Sequence, residues 1–396
     1  MFEHIPPYAG DPILSLNEAF QKDPRPHKVN LSIGLYFDEQ GRIPMPASVA
    51  EAERRVVARA GSRPYLPMEG AANFRAAVQE LLFGGSAALQ EKRIATIQGV
   101  GSSGGLRVGA DFLRAHFPAS PIYLSTPTWD NHRAVFEGAG LEVRAYPYYD
   151  ASTGGLDFAG LLAALEAAPA RSVVLLHACC HNPTGVDLSA AQWHELAVLL
   201  KRRELLAFLD LAYQGYGDGL QEDLLGVKAL LDAGLLFFLA NSFSKNMSVY
   251  GERCGALSVV CESAEAAERV LGQLKFTIRR NYSNPPTHGG QLVATVLLEA
   301  DLRAQWEQEV TQMRQRIQSM RRRLHEVLSQ KLPGRDFGYF LSQRGMFSYT
   351  GLSAEQAERL KTEHAVYILR SGRMCVAGLN EGNVQAVAEA MATVLG

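Results

Sequence analysis

The sequence predicts an α/β fold: a large domain with a mostly parallel sheet flanked by helices, plus a smaller α+β domain built from both chain termini. Three observations carry this. The chain has 396 residues, more than one hydrophobic core ordinarily organises. From about residue 93 to 260, short apolar runs alternate with helical patterns, as in a sheet whose strands are joined by crossover helices. Downstream lies one long amphipathic pattern able to link two domains.

The runs 94–97, 122–125, 172–176, 205–209, 235–240 and 256–260 are short and apolar, which predicts buried strands. Between them, 106–117, 190–203 and 223–233 repeat apolar residues at helical spacing. Leu302, Trp306, Val310, Met313, Ile317, Met320, Leu324 and Val327 follow spacings of three and four. They predict a helix over about 301–331, roughly 45 Å long, ended by Pro333-Gly334. The expected large domain is 45–312. The small one is 1–44 with 313–396, because chain termini often lie close together.

A formal net charge of −2 gives no reason to expect nucleic acid or an anionic membrane as partner. No apolar run approaches the roughly 20 residues that span a bilayer. The start, Met1-Phe2-Glu3-His4-Ile5-Pro6-Pro7, lacks the basic and apolar regions of a secretory signal. Cys179, Cys180, Cys254, Cys261 and Cys375 are few and odd in number, which predicts reduced thiols and a cytoplasmic location.

In a largely parallel sheet, ligands bind beyond the carboxyl ends of the strands, so the strand tails are where site chemistry is expected. The fifth tail is Ser242-Phe243-Ser244-Lys245. Lysine is rarely withdrawn from water without a reason, and a desolvated lysine can form a Schiff base with an aldehyde such as pyridoxal phosphate (PLP). A lysine at a strand end can also simply reach solvent, and the pentapeptide alone leaves both readings open. The first tail, Gly99-Val100-Gly101-Ser102-Ser103-Gly104-Gly105, runs into a helix. Glycines let backbone approach an anion, and helix N-termini attract one, so this is a candidate phosphate cradle. It also matches the dinucleotide fingerprint Gly-x-Gly-x-x-Gly. That fingerprint calls for an acidic residue about 20 positions on, where this chain has Ser125-Thr126-Pro127.

The third tail carries His177 and His181 around two cysteines. Along a continued strand, residues four apart lie about 13 Å apart, too far for one zinc ion, so no metal is expected. Asp210 ends the fourth strand with Tyr213 three residues on. It caps a turn or pairs with the ring nitrogen of PLP. Trp129 in the second tail is core or a stacking face. Arg279 and Arg373 stand beside apolar residues, as surface ion pairs or as bidentate grips on carboxylates.

Together with Asn30-Leu31-Ser32-Ile33-Gly34-Leu35-Tyr36, Tyr65-Leu66-Pro67-Met68-Glu69-Gly70, His181-Asn182-Pro183-Thr184-Gly185 and Asn281-Tyr282-Ser283-Asn284-Pro285-Pro286, these motifs resemble the class I aminotransferases of the aspartate and aromatic amino acid group, PLP enzymes of fold type I. The resemblance covers almost the whole chain. It implies that Lys245 holds PLP covalently, that Asp210 pairs with the ring nitrogen, and that Tyr213 and Asn182 bond the ring's phenolic oxygen while Trp129 stacks on the ring. It implies phosphate contacts from Ser102, Ser103, Ser242, Ser244 and Arg253, and from Tyr65 of the neighbouring subunit of a homodimer. Arg373, Asn182 and the Gly34 backbone would hold the substrate α-carboxylate; Arg279, also from the neighbour, would meet a distal carboxylate. Ser102-Ser103 departs from the Gly-Thr common in the aspartate branch.

Ser32-Ile33-Gly34-Leu35-Tyr36, Leu66-Pro67-Met68-Glu69-Gly70 and Met346-Phe347-Ser348-Tyr349-Thr350-Gly351 look most like the bacterial aromatic branch. This implies reversible ping-pong transamination between tyrosine or phenylalanine and 2-oxoglutarate, with aspartate also accepted. An aspartate aminotransferase with little aromatic activity is the nearest alternative. A nicotinamide dehydrogenase, or a scaffold without enzymatic activity, is more distant.

Overall fold

The computed structural model describes residues 1–7, 10–59 and 61–396. These divide into two units, Pro44–Gln315, and Met1–Ile43 with Arg316–Gly396. In the first, strands β1 (Ile94–Val100), β2 (Ile122–Thr126), β3 (Val143–Pro147), β4 (Val173–His177), β5 (Leu206–Leu211), β6 (Phe237–Ser242) and β7 (Cys254–Val260) form one seven-stranded sheet. Their spatial order is β1-β7-β6-β5-β4-β2-β3. Only β7 opposes its neighbours, pairing antiparallel with both β1 and β6. The other pairs are parallel. All six expected strands are therefore present. The edge strand β3 escaped the reading because Val143-Arg144-Ala145-Tyr146-Pro147 mixes exposed and buried positions instead of forming an apolar run.

Helices α1 (Gly101–His116), α2 (Asp130–Gly138), α3 (Ala190–Arg202), α4 (Leu225–Asp232), α5 (Ala264–Asn281) and α6 (Ala300–Lys331) follow the expected alternation and the long C-terminal pattern. Ser189 and Gln192 form a capping box that starts α3. α1 corrects one expectation, since it begins at Gly101 and not near Leu106. Most of the glycine-rich loop is the helix's own first turns, concealed by the poor helix propensity of Gly104 and Gly105. The segment expected as one helix over 223–233 instead opens with a 3₁₀ turn, Glu222–Leu224.

β4, β5, β6 and β7 are buried along nearly their whole length, as strands covered on both faces require. On these strands Phe208 and Phe238 lie 5.2 Å apart with tilted rings, with Phe136 5.9 Å from Phe208 and Phe112 5.7 Å from Phe238. At the start of β7, a methyl group on Gly255 would lie 2.3 Å from the Asn241 carbonyl oxygen and 2.8 Å from the Gly101 carbonyl carbon. Both are backbone atoms and cannot yield cheaply. Gly255→Ala is expected to lower the unfolding free energy by about 1–3 kcal/mol, measurable by urea denaturation; an unchanged midpoint would contradict the close approach.

In the second unit, Val29–Asn30 pairs in parallel with Val366–Tyr367, and Phe347–Tyr349 pairs antiparallel with Arg373–Cys375. Arg25 binds Asp23 and also donates to the Lys361 and Thr362 carbonyls, while the Tyr367 hydroxyl donates to Asp23. The N-terminal segment is thus tied by hydrogen bonds to the C-terminal one.

Candidate active site

Because β1, β2, β4, β5 and β6 run in one direction, their carboxyl ends share one edge of the sheet. The antiparallel β7 brings its beginning to that same edge, with Cys254 opposite Val100 and Gly255 opposite Ser242. This places Arg253, the residue before β7, beside the first turn of α1. A Cβ on Gly101 would stand 2.8 Å from Arg253 Nη2. Gly101 also adopts φ +66°, a left-handed conformation suited to glycine.

Arg253 Nη1 lies 3.4 Å from Ser244 Oγ, which in turn accepts from Ser242 Oγ at 3.0 Å. Ser102 is buried in the first turn of α1, and Ser103 is half-buried beside it. The helix N-terminus, four serines and one guanidinium form a surface suited to a phosphate dianion.

Asp210 sits inside the sheet, level with His177 on β4 and Ala240 on β6. Its Oδ2 accepts from His132 Nε2 at 3.0 Å, and His132 Nδ1 is hydrogen-bonded to the Thr128 hydroxyl at 2.8 Å. Thr128 and His132 flank the start of α2, one helical turn apart. Burial by itself would push the Asp210 carboxyl up. The hydrogen bond from His132 and the electrostatic influence of the neighbouring imidazoles and Lys245 outweigh it, so the pKa is lowered and the group is ionised. Asp210 Oδ1 is buried and has no hydrogen-bond partner among the described residues. Such an oxygen is costly and suits a cationic N–H.

Lys245 is half-buried in the turn after β6. Its Nζ lies 5.1 Å from the centre of the Tyr213 ring. Trp129 caps α2, and its ring stands edge-on 5.2 Å from His132. Asn182 is buried in the turn after β4.

His177 and His181 stand far closer than a continued strand would hold them. The chain turns after β4, with Cys180 at φ +52°, and the two rings approach to 4.2 Å. His132, His177 and Asp210 bring ligand-type atoms within 4.8 Å of one another, as do Cys179, Cys180 and Asp223. His132 and His181 are both engaged in hydrogen bonds: His132 with Thr128 and Asp210, His181 with Ser125 and Thr184. Beside Asp210 the three imidazoles follow one another at 5.1 and 4.2 Å with tilted rings, and Tyr148 stacks on His181 at 4.0 Å.

Burial, reinforced by neighbouring His132, lowers His177 to about 3. The unfolded chain takes up a proton near pH 6.5 that the folded chain refuses. Stability should therefore fall as pH drops from about 6.5 towards 3, by up to about 1.4 kcal/mol per pH unit for this one group. His177→Gln is expected to flatten that acid limb in urea titrations at stepped pH; parallel limbs would show that His177 is not the group responsible.

The remaining candidates lie elsewhere. Tyr65 is 90% exposed. Arg279, at the end of α5, is exposed and binds Ser283 Oγ. Gly34 and Arg373 belong to the other unit. There Arg373 is buried, donates to the Ser32 carbonyl at 2.7 Å and lies 4.4 Å over the Phe347 ring. A Cβ on Gly34 would stand 2.8 Å from that same ring. His132 and Thr128 were not singled out from the sequence. The available signal was their spacing of four residues in a tail leading from a strand into a helix.

Residues 26–391 match the family model for aminotransferase class I and II. The chain is 57% identical over 397 residues to the aromatic-amino-acid aminotransferase of Escherichia coli strain K12, with both chains fully covered. It is 51% identical over 386 residues to the aspartate aminotransferase of Pseudomonas aeruginosa, covering 97% of each. Among solved structures, the aromatic-amino-acid aminotransferase from Burkholderia pseudomallei covalently bound to pyridoxal phosphate superimposes with a TM-score of 0.98 at 49% identity, with both chains fully covered.

Proposed function

We propose that this chain, which belongs to the class I and II aminotransferases, moves an amino group reversibly between tyrosine or phenylalanine and 2-oxoglutarate with PLP as cofactor, and also accepts aspartate. Its relatives carry aromatic and aspartate aminotransferase names. The observation that carries the cofactor assignment is Asp210: ionised, buried, fixed by His132 through one oxygen, and with no donor among the described residues on the other. The family match also sets aside the dinucleotide reading of the glycine-rich segment.

The residues at the sheet edge fit PLP. Ser102, Ser103, Ser242, Ser244 and Arg253 would hold the phosphate, Trp129 would cover the ring, and Asn182 and Tyr213 would bond its phenolic oxygen. Bound there, PLP supplies a reactive aldehyde and a ring that draws electrons from the substrate α-carbon. Asp210 would offer its negative charge to the ring nitrogen, and His132, itself held by Thr128, fixes that carboxylate in place. Lys245 would anchor the cofactor, and its free amine would take and return the substrate α-proton through Nζ. Arg373 grips the substrate α-carboxylate near the Gly34 backbone.

In this reading two copies share their sites. Tyr65 and Arg279 are exposed on their own chain, as residues serving a neighbour's site would be. All five cysteines are buried thiols outside any disulfide, which agrees with a cytoplasmic location. No helix among the described residues is long and apolar enough to cross a membrane.

Initial rates with phenylalanine and with aspartate, each against 2-oxoglutarate, test the reading. Parallel double-reciprocal lines and comparable kcat/KM for the two amino donors are expected. Phenylalanine values lower by orders of magnitude would favour an aspartate aminotransferase.

A further inference from the structure

The turn following β5 grips Lys245 at both ends of the residue. Tyr213 and Tyr216 close this turn, with Tyr216 N donating to the Tyr213 carbonyl at 3.0 Å. The Tyr213 ring faces the Lys245 ammonium at 5.1 Å. At the opposite end, the Tyr216 hydroxyl lies 2.9 Å from the Lys245 carbonyl oxygen and 3.3 Å from Met313 Sδ. A carbonyl is a much better acceptor than a thioether, so the hydroxyl proton goes to Lys245. The same carbonyl accepts from Ser248 N at 3.1 Å.

The next residue is pinned as well. The Asn246 carbonyl accepts from Trp306 Nε1 at 2.8 Å, and the Asn246 amide donates to the Gln214 carbonyl at 3.1 Å. Tyr216, Asn246 and Trp306 are each at most 1% exposed. The turn in its turn rests on Asp223, which accepts from the backbone N–H groups of Gly215, Gly217 and Asp218, and on Arg314, which donates to the Gly215 carbonyl. At φ +95°, Gly215 has no room for a Cβ, which would stand 2.4 Å from Val310.

We propose that Tyr216 and Trp306 are positioning residues for Lys245, acting through its backbone and its neighbour's so that the loops after β5 and β6 form one rigid seat. The inference rests on Lys245 being the catalytic lysine. A lysine side chain has four rotatable bonds. If its Cα also drifted, Nζ would miss both the cofactor and the α-proton. With the two carbonyls held by buried donors, the travel of Nζ between anchoring and proton transfer is left to the side chain alone. Misplacement by about 1 Å can cost about 100-fold in rate, so a partly loosened seat should cost about tenfold. Neither residue needs to touch the substrate, so KM should be little affected.

The test uses holoenzyme with Tyr216→Phe, Trp306→Phe and the double variant. Each substitution removes a donor and keeps most of the ring volume. The measurements are kcat, KM, thermal midpoint, and the pH midpoint of the visible band of the lysine-bound cofactor. We expect Tyr216→Phe to lower kcat about tenfold with KM within about twofold, and to move the spectral midpoint. Trp306→Phe should act in the same direction. The double variant should lose less than the product of the two single losses, because both substitutions loosen one seat. Single variants that melt earlier yet keep wild-type kcat and spectral midpoint would reduce both residues to packing and overturn the proposal. Should Tyr216→Phe not fold, Trp306→Phe decides by the same criteria. A wild-type enzyme with no lysine-linked band would instead overturn the underlying function, which keeps the two failures distinguishable.

Discussion

Lys245→Ala should purify with cofactor still bound but turn over more slowly by at least about 10²–10⁴-fold, the range supplied by a positioned proton carrier. Retention is expected because the phosphate seat does not involve the lysine. Ser242, Ser244, Arg253 and the first turn of α1 remain in place. What disappears is the amine that faces Tyr213 and takes and returns the α-proton. A small primary amine added to the assay should restore part of the rate. The cofactor of the variant should also be released by dilution more readily, since its covalent anchor is gone. Wild-type turnover by the variant would remove Lys245 from the chemistry.

Asp210→Asn should cost about 10²–10³-fold in kcat, as expected when a preorganised charge is lost from a site that excludes water. Asparagine preserves the shape and can still meet His132, so the change isolates the charge. Asp210 lies within the sheet between β4 and β6, and removing a desolvated charge there does not require unfolding. Its folded pKa is lowered below the ordinary value. Its contribution to stability is therefore present above the unfolded pKa of about 4 and is lost only as pH falls through the lowered value. Between pH 8 and 5, wild-type kcat should not decline on account of Asp210. A variant within twofold of wild type would show that the carboxylate is not the ring's partner.

The main features of the fold were legible because buried parallel strands announce themselves as apolar runs, and β1, β2, β4, β5, β6 and β7 all did so. β3 did not, because an edge strand needs no continuous apolar stretch. The start of α1 was hidden because glycine, chosen for close approach at Gly101 and Gly105, depresses helix propensity. Strand tails brought Lys245, Asp210, Trp129 and the glycine-rich segment under one argument, and the sheet gathers those tails on one edge.

Arg253 could not be found in that way. It precedes a strand, and only the reversal of β7 carries it to the site edge. Without the resemblance nothing in its neighbourhood marked it. His132 reaches Asp210 across 78 positions of sequence, and Trp306 reaches Asn246 across 60. Such contacts are consequences of register and helix placement, which local periodicity does not encode. His177 and His181 meet for a related reason: the chain turns between them, where strand geometry would hold them apart.

The most direct measurement is the absorbance spectrum of the purified protein in the presence of PLP, before and after glutamate is added without an oxo acid acceptor. The account predicts a visible band from the cofactor held by Lys245. Glutamate should convert it to the pyridoxamine form, and 2-oxoglutarate should restore it. A protein that stays colourless with added PLP, or a band that glutamate leaves unchanged, would contradict the central claim.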